Sequence, residues 1–457
     1  MAWAFVLADY AFSFTSYNFG VSPGARNVML GFLALFITGY WFGDVVLDPE
    51  PAGIRGREPK PQAPPVASRI DMARFVRWLA IIGLVGALMM TVDYLFLRHL
   101  DYSAGVAGAR SQLQLGIRAG GSSQPALFRP GVGSNPWSIT SRVLGEFATV
   151  AVALLLLRGE RLRDRVTVGL CLSALVVHFF ALTLTGGRNS IAVALIVLFG
   201  AVLVRRGLGK RTLPPIKTVR LGLAAMVPAA GVYFIYIFRA RQALRGTTAF
   251  GALLTLQSSF LLKVKPEAWA ILDGSSLLST MLVPLIQLQT YIAHSFQEFS
   301  LLIAQRPRPG PFFGLYDLYV PGLFVSKFHV ISPDHMHNVI FSSNRTGVYE
   351  SLLGSLYRDF GVTGCLVAGF LFGALAGVVW RRLHRGGGLQ WELGATYVVA
   401  AIIASPVVSI LNTGTGFELL TALLVTVVLA RRVSDRMPAT TPVARPGALA
   451  TVSGMRS

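Results

Sequence analysis

Apolar runs about as long as the roughly 20 residues that a helix needs to cross a 30 Å hydrocarbon layer recur along this chain. They lie at about 1–16, 28–47, 75–97, 138–157, 166–184, 189–204, 218–238, 361–380, 392–411 and 417–430. Such a chain does not fold as a water-soluble globule. Of its 457 residues 53% are hydrophobic and only 14% charged, with mean hydropathy +0.59, whereas soluble domains carry about 25% charged residues. The sequence predicts an all-α polytopic membrane protein, residues 1–457 forming one integral membrane domain of about 10 transmembrane helices, or 11 with a re-entrant or interfacial helix near 280–304. The first run has no basic leader and no small-residue cleavage site, so it is not read as a cleaved signal peptide.

The formal charge is +20, from 41 Lys+Arg against 21 Asp+Glu. Nucleic acid, anionic lipid and the positive-inside bias each produce such an excess, and the placement of the charges separates them. If successive loops alternate sides, 23 of the 41 cations fall on one side in about 90 positions, at 55–74, 158–165, 205–220, 381–385 and 431–456. The opposite side carries 16 in about 180 positions, and Arg77 and Arg142 lie inside spans. The positive-inside rule makes the first side cytoplasmic, with both termini there. Nucleic acid is therefore not an expected partner, and membrane lipid is.

Two cytoplasmic segments read as disordered: the proline-rich linker 48–70 and the tail 433–457. Cys171 and Cys365 fall inside spans and read as small core residues. No internal repeat, Walker loop, dinucleotide fingerprint or HExxH is present, so no cofactor is expected. Chemistry is expected in the outer segments, a loop at 98–137 that reads as a lid and a larger one at 239–360.

Within the larger segment, 280–304 is amphipathic: Gln287, Thr290, His294, Gln297 and Glu298 share an arc of about 100° at helical spacing. The stripe either faces a cavity, from a helix lying in the interface or re-entering the membrane, or is a solvated surface face. Outer arginines are a second signal, because the positive-inside bias does not account for them. Thr185-Gly186-Gly187-Arg188-Asn189-Ser190 joins two spans by a tight turn, and Arg239, Arg241 and Arg245 follow the next hairpin, the last two at i, i+4. A guanidinium fork matches phosphate oxygens, so four at headgroup depth suit a lipid-linked pyrophosphate, while each alone also serves as an interfacial anchor. The third signal is 329–364, which gathers His335, His337, Asn338, Arg345, Glu350, Arg358 and Asp359. Asp334, His335 and His337 lack the remaining ligands of a recognisable metal motif, so no metal is assigned. A histidine there can instead take a proton from a sugar hydroxyl, or be an ordinary loop residue.

These features resemble the oligosaccharide repeat-unit polymerases, the O-antigen or Wzy-type polymerases of bacterial surface polysaccharide assembly. The Thr-Gly-Gly-Arg turn at 185–188, the Tyr-x-x-x-x-Phe segment from Tyr291 to Phe296, and Tyr357-Arg358-Asp359-Phe360-Gly361-Val362-Thr363-Gly364 entering a late span carry the resemblance. It implies a C-type glycosyltransferase of the bacterial inner membrane that joins oligosaccharide repeat units carried on undecaprenyl pyrophosphate at the periplasmic face, with a chain-length regulator as a candidate partner. Under that resemblance Arg188, Arg239, Arg241 and Arg245 hold pyrophosphate. His337, His335, His294 or Glu298 supplies the base, Tyr291, Tyr349 and Tyr357 stack on sugars, and Asn338 binds a hydroxyl. Two rivals stand beside it. An O-antigen ligase shares the topology and the carrier but transfers finished polymer to an acceptor. A transporter of polysaccharide or lipid-linked sugar would use the buried Asp9, Asp44, Asp93, Glu146, His178 and Glu418, although no inverted repeat is visible.

Overall fold

The computed structural model describes residues 3–6, 15–17, 20–47, 66–109, 136–305, 310–341 and 350–435, apart from isolated positions and residues 185–187 within those ranges. Its long helices are α1 (Pro23–Val45), α2 (Val66–Val92, extended by a π-turn at Asp93–Leu97), α3 (Pro136–Arg158), α4 (Arg165–Leu184), α5 (Arg188–Gly207) and α6 (Lys217–Leu244). A helical segment follows: α7 (Ala249–Phe260), α8 (Pro266–Gly274), α9 (Ser276–Ala304), α10 (Tyr319–Ser326) and α11 (Pro333–Phe341). The chain then returns through α12 (Leu352–His384), α13 (Leu389–Ala404) and α14 (Gly414–Asp435). Among the described residues eight helices are long and apolar enough to cross a membrane, namely α1–α6, α12 and α14, and α13 is a shorter apolar helix. This is an all-α, multi-pass architecture, and every one of the nine coincides with an expected span.

The core is built around α3, where Phe147 to Leu157 are all buried against α2, α4, α5 and α14. A helix that is apolar on every side has no solvent face to offer, and the run Ala-Val-Ala-Leu-Leu-Leu-Leu forces it to the centre. Between helices, glycines set the spacing. A β-carbon on Gly39 or Gly43 of α1 would land on the carbonyls of Phe370 or Ala374, and one on Gly373 or Gly377 of α12 on those of Phe36 or Tyr40. Close backbone approach replaces the hydrophobic drive that lipid does not supply.

Helix order gives the bundle two ends. One gathers Arg158 with Glu392, Arg205 with Glu160, Arg431 with Gln390, and Arg381 on the Asp44 carbonyl; this is called the basic end. The opposite end carries the 245–351 segment and is called the loop end. Here two expectations change. Most of the run at 1–16 lies outside the described residues, but Trp3 donates its indole N–H to Ser405 Oγ (2.9 Å) and packs on Phe296. Thr15–Tyr17 form β1, antiparallel to β2 (Leu262–Val264) with Thr15 opposite Val264. Trp3 and Thr15–Tyr17 both sit at the loop end. The proline-rich linker is also shorter than expected, because α2 begins at Val66.

Candidate functional site

The amphipathic pattern of 280–304 is resolved by α9, and the solvated alternative fails. Thr290, His294 and Gln297 are completely buried and Glu298 nearly so. The stripe is turned inward, and helix termini from the bundle close over it. Ser300 Oγ accepts the N–H of Ser22 at the start of α1 (2.8 Å), Ser295 donates to the Pro406 carbonyl, and Phe299 meets Tyr357 edge-on at 6.1 Å. His294 Nδ1 lies 2.8 Å from the Thr290 carbonyl. A carbonyl only accepts, so Nδ1 carries the proton and Nε2 is the basic nitrogen of the neutral ring.

Arg188 opens α5, four residues after the last residue of α4. Its guanidinium lies over two aromatic faces, Phe238 of α6 at 3.8 Å and Tyr291 of α9 at 4.9 Å. Gln242 Nε2 donates to Gln287 Oε1 (3.2 Å), tying α6 to α9 beside that stack. No carboxylate among the described residues pairs with Arg188, and its Nη1 is buried without a hydrogen-bond partner. A desolvated guanidinium on an aromatic face gains about 2 kcal/mol, but the buried donor still lacks an acceptor, a cost of about 1–3 kcal/mol. This cation is fixed in place and ready for an anion.

The second arm is Arg358, on the first turns of α12. Those turns stop at Gly361, whose φ of 74° and ψ of −165° break the helix. Released from helical bonding, the carbonyls of Arg358 and Asp359 accept the N–H groups of Phe312 and Phe313 (3.3 and 3.1 Å). The Asp359 carboxylate accepts those of Tyr316 and Asp317 (2.9 and 3.0 Å), so the turn before α10 is pinned to the kink. Arg358 forks onto Glu350 (2.6 and 2.5 Å) and lies over Tyr316 at 5.0 Å. Glu298 of α9 also acts on it electrostatically, which joins this arm to the buried stripe. Arg358 is thus already neutralised and braces the site, whereas Arg188 is not. Beside it Asp317 is buried, and burial, reinforced by the Asp359 and Glu350 charges, pushes its carboxyl up to about 7 while the Ser409 and Ser355 hydroxyls oppose the shift. Burial also raises the Tyr316 phenol.

The expected residues divide accordingly. Arg188, Tyr291, His294 and Glu298 come together on α5 and α9. Arg241 is half-buried and Arg239 exposed on α6, near the loop end. His335 and Asn338 are exposed on α11, His335 facing Phe312 at 6.5 Å; His337 lies on the same helix. Arg245 and Tyr349 lie outside the described residues. Tyr357 is only 4% exposed and packed on Phe299, so it is a core side chain with no open face for a sugar. Sequence reasoning did not single out Phe238, Gln242 or Asp317. Phe238 three residues before Arg241 was the available signal; for Asp317 there was none. Among known proteins no family model, curated protein or solved structure matches this chain.

Proposed function

We propose that this chain is a membrane glycosyltransferase that polymerises oligosaccharide repeat units from an undecaprenyl-pyrophosphate donor at the outer face of the bacterial inner membrane. The observation that carries the reading is Arg188, lying over the neighbouring Phe238 and Tyr291 rings with a buried Nη1 that no acceptor among the described residues satisfies. Diphosphate oxygens are the acceptors such a donor fits. The hydroxyl of the incoming unit attacks the anomeric carbon of the donor sugar, the bond from that carbon to the pyrophosphate oxygen breaks, and configuration inverts. Negative charge grows on the departing pyrophosphate, where a preplaced cation stabilises the transition state more than the ground state. The hydroxyl proton passes to a base on α9, His294 through Nε2 or the less covered Glu298. Arg239, Arg241 and Arg245 steer the carrier toward Arg188.

The test uses the protein in nanodiscs with an undecaprenyl-pyrophosphate oligosaccharide. Wild type yields a ladder of chain lengths; Arg188→Ala loses it by at least about 100-fold, as removal of one preorganised donor does, and Arg188→Lys restores little because an ammonium lacks the planar fork of donors. An unchanged ladder in Arg188→Ala refutes the reading. Transfer of finished polymer to an added acceptor, with no ladder, assigns a ligase instead.

A further inference from the structure

At the loop end one side chain does not suit a turn that faces water. Phe313, in the turn before α10, is 77% exposed, and its φ of 53° lies in the left-handed region that a bulky residue rarely enters. The turn is held in that shape from behind. Phe312 and Phe313 donate their N–H groups to the carbonyls freed at the α12 kink, and a β-carbon on Gly310 would land on the Arg358 carbonyl. In water, a strained backbone that also leaves a phenyl ring uncovered is unfavourable on both counts. Against hydrocarbon the uncovered ring carries no penalty.

The neighbours of Phe313 say which solvent it meets. On α12, Gly369, Gly373 and Gly377 recur every four residues and press against Phe32, Phe36 and Tyr40 of α1. The face turned away from that seam carries Val367, Leu371 and Leu375, each more than half exposed, as a span shows to lipid. The apolar stripe continues toward the loop end. A β-carbon on Gly364, three residues before Val367 and so on its face, would land on the Phe360 side chain, and Phe360 is itself 44% exposed. A β-carbon on Gly314 would in turn meet the Phe360 ring at 3.6 Å, so the turn adjoins the top of the stripe. Depth agrees with continuity. From Arg381 at the basic end to the kink at Gly361 is 20 residues, about 30 Å at 1.5 Å per residue, which is the thickness of the hydrocarbon layer. Phe360 and Phe313 stand at its far boundary.

We infer that Phe313 is a lipid anchor: its ring enters the acyl-chain region of the leaflet at the loop end, beside Phe360, and holds the turn before α10 against the membrane. The partner is the bilayer itself, met through hydrocarbon contact. The anchored turn also carries Tyr316 and Asp317, whose N–H groups close on the Asp359 carboxylate, and Tyr316 lies under the Arg358 guanidinium. Asn412 donates to the Tyr316 carbonyl (2.6 Å), tying the same turn to the connection before α14. Lipid contact at Phe313 therefore braces from outside the arm that the Arg358–Glu350 pair braces from within.

The test starts from the wild-type protein in nanodiscs, so that no variant has to fold. It is labelled with a carbene precursor dissolved in the bilayer and, separately, with hydroxyl radicals generated in water, and the modified residues are located by mass spectrometry. Phe313 should take up carbene as Leu371 does and be spared by the radicals. Oxidation of Phe313 without carbene uptake shows a ring that faces water, and protection from both reagents shows that protein covers it; either result overturns the inference. A pair of variants then separates lipid contact from backbone shape. Asp enters the left-handed region more readily than Phe, so Phe313→Asp relieves strain while setting a charge against hydrocarbon. Phe313→Leu keeps both the strain and the apolar contact. Amide exchange at Tyr316 and Asp317 should be several-fold faster in Phe313→Asp than in Phe313→Leu, and equal exchange in the two overturns the anchoring role. Glycosyl transfer is measured in neither experiment, so failure here is distinct from failure of the proposed function.

Discussion

At the scale of single residues, the site contrasts a cation with a partner and a cation without one. Arg358 and Glu350 form a forked, buried ion pair. Truncating one partner leaves the other charge uncompensated, at about 3–5 kcal/mol. Arg358→Met should therefore lower the melting temperature markedly, and the double variant Arg358→Met, Glu350→Gln should recover much of the loss, as a double-mutant cycle of thermal unfolding will read. Asp317 makes a pH-dependent contribution of known sign. Its carboxyl is held at about 7 in the folded protein, against about 3.9 in an unfolded chain. The folded state thus binds this proton more tightly, the associated stability is complete below about pH 4, and it is lost as pH rises through 7. Asp317→Asn keeps the neutral form at every pH. It should match wild type near pH 4 and exceed it in melting temperature at pH 8; equal melting at both values would show that the carboxyl is not held neutral.

At the scale of elements, glycines decide where helices may bend and how near they may come. The break in α12 at Gly361 has φ and ψ in a region that side-chain-bearing residues scarcely enter. Gly361→Ala should cost about 1–3 kcal/mol and loosen the turn that Asp359 pins, seen as faster amide exchange at Tyr316 and Asp317. On the seam between α1 and α12, Gly373→Leu forces the helices apart against the Phe36 carbonyl and should abolish a monodisperse elution profile. Gly386→Leu, in the open turn after α12, meets no neighbouring atom; at its φ of 75° it should cost only local strain. The amphipathic stripe of α9 carries the opposite lesson. The helical period of Gln287, Thr290, His294, Gln297 and Glu298 was plain in the sequence, yet burial was not, because periodicity gives a face and never says what covers it.

For the whole molecule, the asymmetry of charge between the two ends predicts orientation. With the basic end in the cytoplasm, Gly246→Cys should react with an impermeant thiol reagent on intact cells, and Gly386→Cys only after the inner membrane is opened. The reverse pattern would invert the molecule and remove the proposed site from the outer face. Nine of the ten expected spans are helices of the bundle. Of the tenth, at the N-terminus, the described residues Trp3 and Thr15–Tyr17 bond to Ser405 and pair with β2.

What the sequence determined by itself is everything that depends on short-range properties: which segments are apolar for long enough to cross, which end is basic, and that Arg188 stands at the start of a helix. Hydropathy and turn chemistry act over one helix at a time, so one helix is enough to read them. Only the tertiary structure decided that Arg188, Phe238 and Tyr291, on three helices separated by up to about a hundred residues of chain, form one stack. It alone decided that Arg358 is spent on Glu350 and that Glu146 meets His178. Those meetings follow from how helix faces pack against one another, and ion pairing and stacking vanish within a few ångströms, a scale that sequence spacing does not measure.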